Sequence, residues 1–475
     1  MQERTRQEKA RATARLNQPE SNPVRDEDGA LVPAFIERIS EAVLLSDQNA
    51  LRAMVQDLHE ADMGDLIEAL DAEDRARLIE LLGADFDFNA LTEVDDAIRE
   101  EILDELEPET VAQGVRDMDS DDAVYILEDM DEEDKAEVLA ILPASDRIAL
   151  QKSLDYPEDS AGRRMQTEVI AVASFWTVGQ TIDFMRDTSD LPDTFYEVYI
   201  VDPGHRFLGA VPLDRLLRSK RPVKIEKLMV EERRTIAATD QLEDVALTFQ
   251  RYNLVAMPVL DEADRLVGVM TIDDVVDVME DMADDEVKAL GGVKGEEELS
   301  DPVKVIARSR FQWLLVNLMT AFLAAAVMKL FESGLEKMVA LAILAPIVAS
   351  QGGNAATQTM TVAVRAIATR ELSALNVRRF FTRELLVAFV NGMAFALITG
   401  AVAALWFSNP GLGVVIGLAM VVNLVAAAIA GAMIPVTLDR LGIDPAVSSG
   451  TFVTTVTDVV GFFAFLGIAT LWFGL

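Results

Sequence analysis

The strongest constraint on the fold is the distribution of ionisable residues in the last third of the chain. Residues 385–438 contain none, and residues 311–364 contain only a small cluster, namely Lys329, Glu332, Glu336 and Lys337. A helix needs about 20 predominantly apolar residues to cross the hydrocarbon core of a bilayer. These two stretches therefore predict several membrane-spanning helices.

Breaks in the apolar pattern divide this region into five predicted spans. The charged cluster separates a first span at about 312–331 from a second at about 339–363. The sequence Ser408-Asn409-Pro410-Gly411 divides the charge-free run into a third and a fourth span. The fifth span begins after Asp444-Pro445.

The loop between the second and third spans predicts the orientation. Its basic residues are Arg365, Arg370, Arg378, Arg379 and Arg383. Such clusters lie on the cytoplasmic side of membranes. We therefore expect a multi-pass protein of the cell inner (cytoplasmic) membrane, with the N-terminal domains cytoplasmic and the C-terminus outside.

Charge separates the chain into two parts. Residues 306–475 carry seven acids and ten bases, a net charge of +3, whereas the whole chain carries −38, so residues 1–305 carry −41. Such acidity repels nucleic acid and attracts multivalent cations. The absence of cysteine excludes disulfides and thiolate metal sites. The two histidines, His59 and His205, are far apart in sequence, which argues against a zinc site.

Asp458 is the only ionisable residue between Pro445 and Leu475. It lies in the sequence Thr454-Thr455-Val456-Thr457-Asp458-Val459-Val460-Gly461, with hydroxyls one helical turn away. One interpretation is an acid that is neutralised by protonation or by a polar neighbour. Intramembrane acids, however, usually mark ion or proton paths. We interpret Asp458 as part of a cation site.

The acidic part contains three predicted regions. Residues 1–33 lack periodicity and predict a disordered tail. Residues 34–158 have helical periodicity and an internal repeat, because LIEALDAEDRARLIELLG at 66–83 resembles ILEDMDEEDKAEVLAILP at 126–143. Each copy predicts two short helices around an acidic turn, so we expect stacked helical hairpins.

Residues 159–224 and 225–280 predict two similar α/β units with the order strand, turn, strand, helix. They resemble a tandem of cystathionine-β-synthase-type (CBS) domains, which commonly bind adenosyl nucleotides. In the second unit Gly268, Thr271 and Asp274 match the family's ribose-contacting pattern, so Thr271 and Asp274 are nucleotide-binding candidates. The first unit has Pro212 and Arg215 at the corresponding positions.

From about residue 50 to its end the chain resembles the MgtE-type magnesium transporters. The motifs that carry the resemblance are Tyr156-Pro157-Glu158-Asp159-Ser160-Ala161-Gly162, Pro346 with Gly352-Gly353-Asn354 and Gln358, and Asp444-Pro445-Ala446 with Thr454-Thr455, Asp458 and Gly461. Ala356, and Ala283-Asp284-Asp285-Glu286, depart from the family's usual residues. The resemblance implies a multidomain membrane protein. Its expected parts are an all-α acidic superhelical domain, tandem CBS domains, a connecting (plug) helix at 281–310 and a five-helix transmembrane domain at 311–475.

The resemblance also implies a homodimer with a pore near the dimer axis and Asp458 at its selective site. Magnesium prefers rigid octahedral oxygen coordination and retains water, so one carboxylate from each chain suits it. Asn354, Gln358, Thr454 and Thr455 are candidates for lining the pore. Hydrogen bonding between helices is an equally good interpretation of each of these four residues.

Acidic residues around the connecting helix are candidate sensors of intracellular magnesium. They are Asp121, Asp122, Asp274, Asp277, Asp284, Asp285, Glu286 and Asp444. Without cations these carboxylates repel each other, and a ligand that binds only the compact arrangement favours it. High internal magnesium should then close the pore. Ordinary solvation of helix faces is the alternative for many of these acids.

Two other functions are compatible with these patterns. One is a membrane-anchored CBS sensor of nucleotide or energy state, and the other is a transporter for another divalent cation such as Co²⁺. The chain shows no nucleophile–base arrangement or phosphate-binding loop, so we do not expect an enzyme. Expected ligands are Mg²⁺, membrane lipid and, at the CBS domains, ATP or another adenosyl nucleotide.

Overall fold

The computed structural model describes residues 24–188, 191–192, 194–230, 234–293, 295, 297, 300–372, 376–443 and 445–475, without the side chains of 447 and 448. The chain divides into two compact units, Met1–Glu280 and Asp281–Leu475. The first unit contains a helical region and two small sheets. The second contains long apolar helices. The multidomain architecture expected from the sequence is confirmed.

The helical region consists of short helices joined by tight turns. They are α1 (Pro33–Leu45), α2 (Gln48–Val55), α3 (Glu60–Ala69), α4 (Ala72–Leu82), α5 (Asp96–Glu105), α6 (Pro108–Asp117), α7 (Ser120–Glu128), α8 (Glu132–Ile141) and α9 (Ala144–Leu154). The two repeated segments form the hairpins α3–α4 and α7–α8. Their apolar positions, among them Leu66, Ile79 and Ile126, are fully buried in one shared core.

The predicted tail ends earlier than expected. Arg25 and Leu31 form a β-bridge, and the Arg25 guanidinium pairs with Asp62, with 2.6 Å between Nε and Oδ1, and with Asp65. Val24 and Leu31 pack against the helical core. Residues 24–33 are therefore structured, which corrects the prediction of a disordered tail through residue 33. Residues 1–23 of that tail lie outside the described residues.

The two α/β units have the same topology. The first contains β1 (Ala171–Ala173), α10 (Val178–Asp187), β2 (Glu197–Val201), β3 (Phe207–Pro212) and α11 (Leu213–Leu217). The second contains β4 (Ile236–Ala237), α12 (Leu242–Tyr252), β5 (Ala256–Leu260) and β6 (Leu266–Thr271). In each sheet the first strand runs parallel to the second and the third antiparallel to it. A core cluster that includes Tyr199 and Val269 joins the two sheets.

The predicted connecting helix at 281–310 is wrong. Helix α13 runs from Ile272 to Leu290, so it begins directly after β6 and includes the first ten residues of the predicted segment. It ends at Gly291-Gly292, where Gly292 adopts a φ of +74° that favours glycine. No helix is present among the described residues of 291–302, and Pro302 precedes the next helix.

Five helices in the described part of the chain are long and apolar enough to cross a membrane, as predicted. The C-terminal helices are α14 (Val303–Leu330), the short α15 (Glu332–Lys337), α16 (Val339–Ala368), α17 (Val377–Trp406), α18 (Pro410–Arg440) and α19 (Pro445–Phe473). Helix α18 packs against α16, α17 and α19 and is the most buried of the five. Small residues on α18 allow this close packing, as Gly413 meets the backbone of Gly400 and Gly431 that of Ala356.

Candidate cation sites

Asp458 lies near the middle of α19 and is half-buried within the single chain. It makes no ion pair with any residue that the structure describes. Thr454 and Thr455, one turn earlier, donate their hydroxyl hydrogens to the carbonyls of Gly450 and Thr451 at 2.9 and 2.6 Å. These bonds occupy the hydroxyl hydrogens and leave oxygen lone pairs for a cation or its waters.

The other candidate pore residues lie on α16. Asn354 and Gln358 are four residues apart, so they share a helix face, and both side chains are exposed. Helix α16 packs against α19, and a Cβ built on Gly353 would lie 3.9 Å from the Thr457 hydroxyl oxygen. The structure therefore places the two polar helices side by side. It records no contact between Asn354 or Gln358 and Asp458.

Asn423 on α18 is a buried polar residue that the sequence prediction missed. Its side chain is fully buried and donates from Nδ2 to the Val348 carbonyl on α16 at 2.8 Å. The same amide lies against Gly352 on α16 and Gly461 on α19. Its Oδ1 has no hydrogen-bond partner among the residues that the structure describes. An asparagine inside an otherwise apolar span was the available signal.

A second missed group lies at the beginning of α17. The Glu384 side chain is only 13% exposed. It pairs with Arg383 at 3.0 Å and accepts a 3.4 Å hydrogen bond from the buried Thr359 hydroxyl on α16. This contact joins the arginine-rich loop to the helix that carries Asn354 and Gln358.

In the first unit, three of the predicted sensor acids come together. Asp121 is buried on α7, Asp122 follows it, and Asp274 lies in the first turn of α13. Burial and then the charge of Asp274 raise the pKa of Asp122 to about 7 and hold that of Asp121 well above its usual range. Burial also raises the pKa of Asp274 to about 6. Burial is the larger cause of these shifts, and the charges of neighbouring carboxylates add to them.

Asp274 is also fixed locally. Its Oδ2 accepts hydrogen bonds from the hydroxyl and the backbone N–H of Thr271, at 2.8 and 3.2 Å. Both residues were nucleotide-binding candidates, and in this structure they bind each other. On α7, Ser120 donates to Glu168 at 2.7 Å and accepts from the Thr167 backbone at 2.7 Å. These bonds attach α7 to the segment that precedes β1.

The remaining sensor candidates are dispersed. Asp277 is exposed and its charge contributes to the raised pKa of Asp274. In the second unit, Asp284 is exposed, Asp285 lies against Gly295, and Glu286 pairs with Arg365 at 3.5 Å. Asp444 lies outside the described residues. Among the residues that the structure describes, no group of three or more His, Asp or Glu side chains could hold a metal ion.

Comparison with known proteins gives the same domain order. A divalent cation transporter family model matches residues 345–468, an MgtE intracellular N domain model matches 58–159, and a CBS domain model matches 225–281. The magnesium transporter MgtE of Enterococcus faecalis is 31% identical over 433 residues, covering 91% of this chain and 95% of that protein. The chain belongs to the MgtE family of magnesium transporters.

Two more MgtE magnesium transporters are similar to this chain. The Thermus thermophilus protein is 30% identical over 451 residues and the Bacillus subtilis protein 28% over 419, and each match spans more than 90% of the relative. The chain is also similar to the crystal structure of the soluble part of a magnesium transporter, with 28% identity and a TM-score of 0.46 over 52% of this chain. The cytosolic domain of the Mg²⁺ channel MgtE in complex with ATP gives 27% identity and a TM-score of 0.47 over 51%.

Family membership settles the general function. This MgtE-family chain is a membrane protein that transports magnesium, and its relatives are transporters rather than enzymes. The prediction of magnesium transport is confirmed. The alternatives of a nucleotide sensor and of a transporter for another cation are not supported.

Proposed function

We propose that magnesium crosses the membrane along α19 and that Asp458 forms the selective site. One observation carries this proposal. Asp458 is the only acid in the last membrane helix, and it stays half-exposed and without an ion pair to any described residue. A charge in that position is costly unless a cation or water compensates it.

A homodimer would complete the site. A single carboxylate does not balance a divalent ion, whereas two copies about a twofold axis supply two. Magnesium that keeps most of its water needs only one or two carboxylates. The exposed faces of Asn354, Gln358 and Thr454 would contribute oxygens to the hydrated ion, and half-buried Thr455 would do so if its hydroxyl turns toward the pore.

Intracellular magnesium would close this pore. The support is the cluster of Asp121, Asp122 and Asp274, whose pKa values are raised first by burial and then by the charges of neighbouring carboxylates. Bound magnesium would cancel that repulsion and stabilise the compact form. Of the other candidates, Asp277 extends the same helix face, and Asp284, Asp285, Glu286 and Asp444 remain proposed contributors.

The proposed topology places residues 1–305 and the loop at 365–383 in the cytoplasm, with the C-terminus outside. The arginines of that loop support it. The domain limits 34–158, 159–224 and 225–280 stay predictions.

An adenosyl nucleotide is a proposed ligand of the CBS pair. A cavity beside Thr271 is also lined by Tyr199 and Glu197. We infer that Thr271 and Asp274 would contact the ribose of the nucleotide. Nucleotide titration of the parent and of Thr271→Val tests this, and equal affinity in both would contradict it.

Growth of a magnesium-transport-deficient host at limiting magnesium tests the pore proposal. We expect the parent chain to restore growth and Asp458→Asn to fail at equal membrane abundance. Asp439→Asn, an exposed acid at the end of α18, is the matched control and should restore growth. Normal growth with Asp458→Asn would refute the role of Asp458.

A further inference from the structure

We propose that Asn423 is a positioning residue that fixes α16 and α19 relative to each other and so sets the position of Asp458. This inference rests on the proposed role of Asp458. Asn423 does not contact the ion in this account. It acts through the packing of the two helices that carry the candidate pore residues.

The geometry is a three-helix contact with one amide at its centre. From α18, Asn423 Nδ2 donates to the Val348 carbonyl of α16 at 2.8 Å. A Cβ built on Gly461 of α19 would lie 2.8 Å from the same nitrogen, and a Cβ on Gly352 of α16 would overlap it. Only glycine at both positions leaves room for the amide, so the three residues fit as a set.

A role in stability alone explains this amide poorly. Its Oδ1 is buried and lacks a hydrogen-bond partner in the described part of the chain, and an unsatisfied polar atom costs folding free energy. Leucine has the same number of side-chain heavy atoms, branched at the same carbon, and would avoid that cost in an apolar span. The benefit of asparagine is the directional bond to Val348, which fixes one helix against another.

The contact lies close to the proposed ion site along the chain. Gly461 is three residues after Asp458, so both lie within one turn of α19. On the other side of the contact, Gly353 approaches Thr457, the neighbour of Asp458. A displacement of α19 at Gly461 would therefore move the Asp458 carboxylate as well.

A double-variant cycle tests whether Asn423 and Gly461 act through one contact. Gly461→Ala forces its methyl group against Asn423 and should lower the preference for Mg²⁺ over Co²⁺ in proteoliposome flux by about tenfold, typical of coupling between residues in contact. Asn423→Ala removes the bond to Val348 and should lower the preference as well. Because both changes break one contact, the double variant should lose no more than the worse single variant. Gly467→Ala is the control, since its nearest neighbour would be 3.9 Å away. Additive losses in the double variant would overturn the proposal.

A crosslink measures helix position without depending on Asp458. The chain contains no cysteine, so Gly353→Cys with Thr457→Cys gives one reporter pair between α16 and α19. Under a mild oxidant we expect rapid disulfide formation in the otherwise unchanged chain. It should slow with Gly461→Ala and with Asn423→Ala, and no further when the two changes are combined. An unchanged rate in all backgrounds would contradict the positioning role.

The two measurements separate the failure of each proposal. If Asp458→Asn transports normally but the crosslink follows the predicted cycle, Asn423 positions the helices and Asp458 is not the selective site. If Asp458→Asn abolishes selective flux but Asn423→Ala leaves the rate of disulfide formation unchanged, the positioning role is refuted. Asn423→Leu serves where Asn423→Ala fails to fold, and it should lower selectivity at normal dimer yield.

Discussion

At the scale of single residues, Asp458 could be predicted from the sequence because its signal is local. One carboxylate in a helix that is otherwise uncharged is visible without knowing any neighbour. Its half-exposed position in α19 agrees with that interpretation. The sequence does not tell which residues of other helices lie beside a given residue. It therefore did not predict that Gly352 and Gly461 lie against the Asn423 amide.

Asn423 shows the limit of this reasoning. Its partners, Val348 and Gly461, lie 75 residues before it and on the next helix along the chain. A lone asparagine in an apolar run predicts some interhelical hydrogen bond but not its acceptor. Only the packed helices reveal that two glycines make room for one amide.

The buried acids predict a pH dependence in the absence of metal. The folded pKa values of about 7 for Asp122 and about 6 for Asp274 lie above the ordinary 3.8, so the folded state binds more protons than the unfolded state between these values. Stability in chelator should therefore be highest near pH 4 and fall as the pH rises to about 7.

Calorimetry of the full-length protein in detergent measures this as the temperature of the unfolding transition of its N-terminal unit. Asp122→Asn combined with Asp274→Asn should flatten the slope across that pH range. A transition temperature that rises from pH 4 to 7 in chelator would contradict the assigned repulsion.

At the scale of elements, the membrane spans were predictable and the connecting helix was not. Charge-free runs bounded by Lys337, Pro410 and Pro445 leave few alternatives for the spans. The connecting helix at 281–310 was expected from the family resemblance. The glycine pair at 291–292 and Pro302 interrupt that segment, because glycine ends the helix before it and proline precedes the helix after it.

The acidic face of α13 should determine closure by magnesium. Replacing Asp274, Asp277 and Asp285 together by Asn removes charge that cations would neutralise, so transport should continue at internal magnesium concentrations that close the parent. Flux into proteoliposomes loaded with increasing magnesium measures the shut-off concentration. The matched control is Glu132→Gln, Glu133→Gln and Asp134→Asn, three exposed acids in the first turn of α8. If both triple variants shut off like the parent, the sensor lies elsewhere.

At the scale of the whole molecule, the order of domains follows from composition. Strongly acidic helical repeats, α/β units and apolar helices differ from one another in residue composition and in periodicity. Family membership confirms that order. Composition does not show whether two chains associate, so the dimer remains a proposal.

The topology predicts which loops an impermeant thiol reagent reaches from outside intact cells. Cysteine at Arg379, in the arginine-rich loop, should stay unlabelled until the cells are opened. Cysteine at Glu336 or Ser408, between the other spans, should label at once. The chain has no cysteine of its own, so the parent is the blank. Labelling at 379 in intact cells would invert the proposed orientation.

Magnesium flux through purified protein in proteoliposomes measures whether Asp458 carries the ion path. We expect rapid Mg²⁺ entry with the parent chain and with Asp439→Asn. With Asp458→Asn we expect a loss on the order of 100-fold, since roughly 3 kcal/mol of charge compensation at mid-membrane corresponds to that factor in rate. Mg²⁺ flux through Asp458→Asn at the parent's rate and with the parent's selectivity would refute the role of Asp458 in transport.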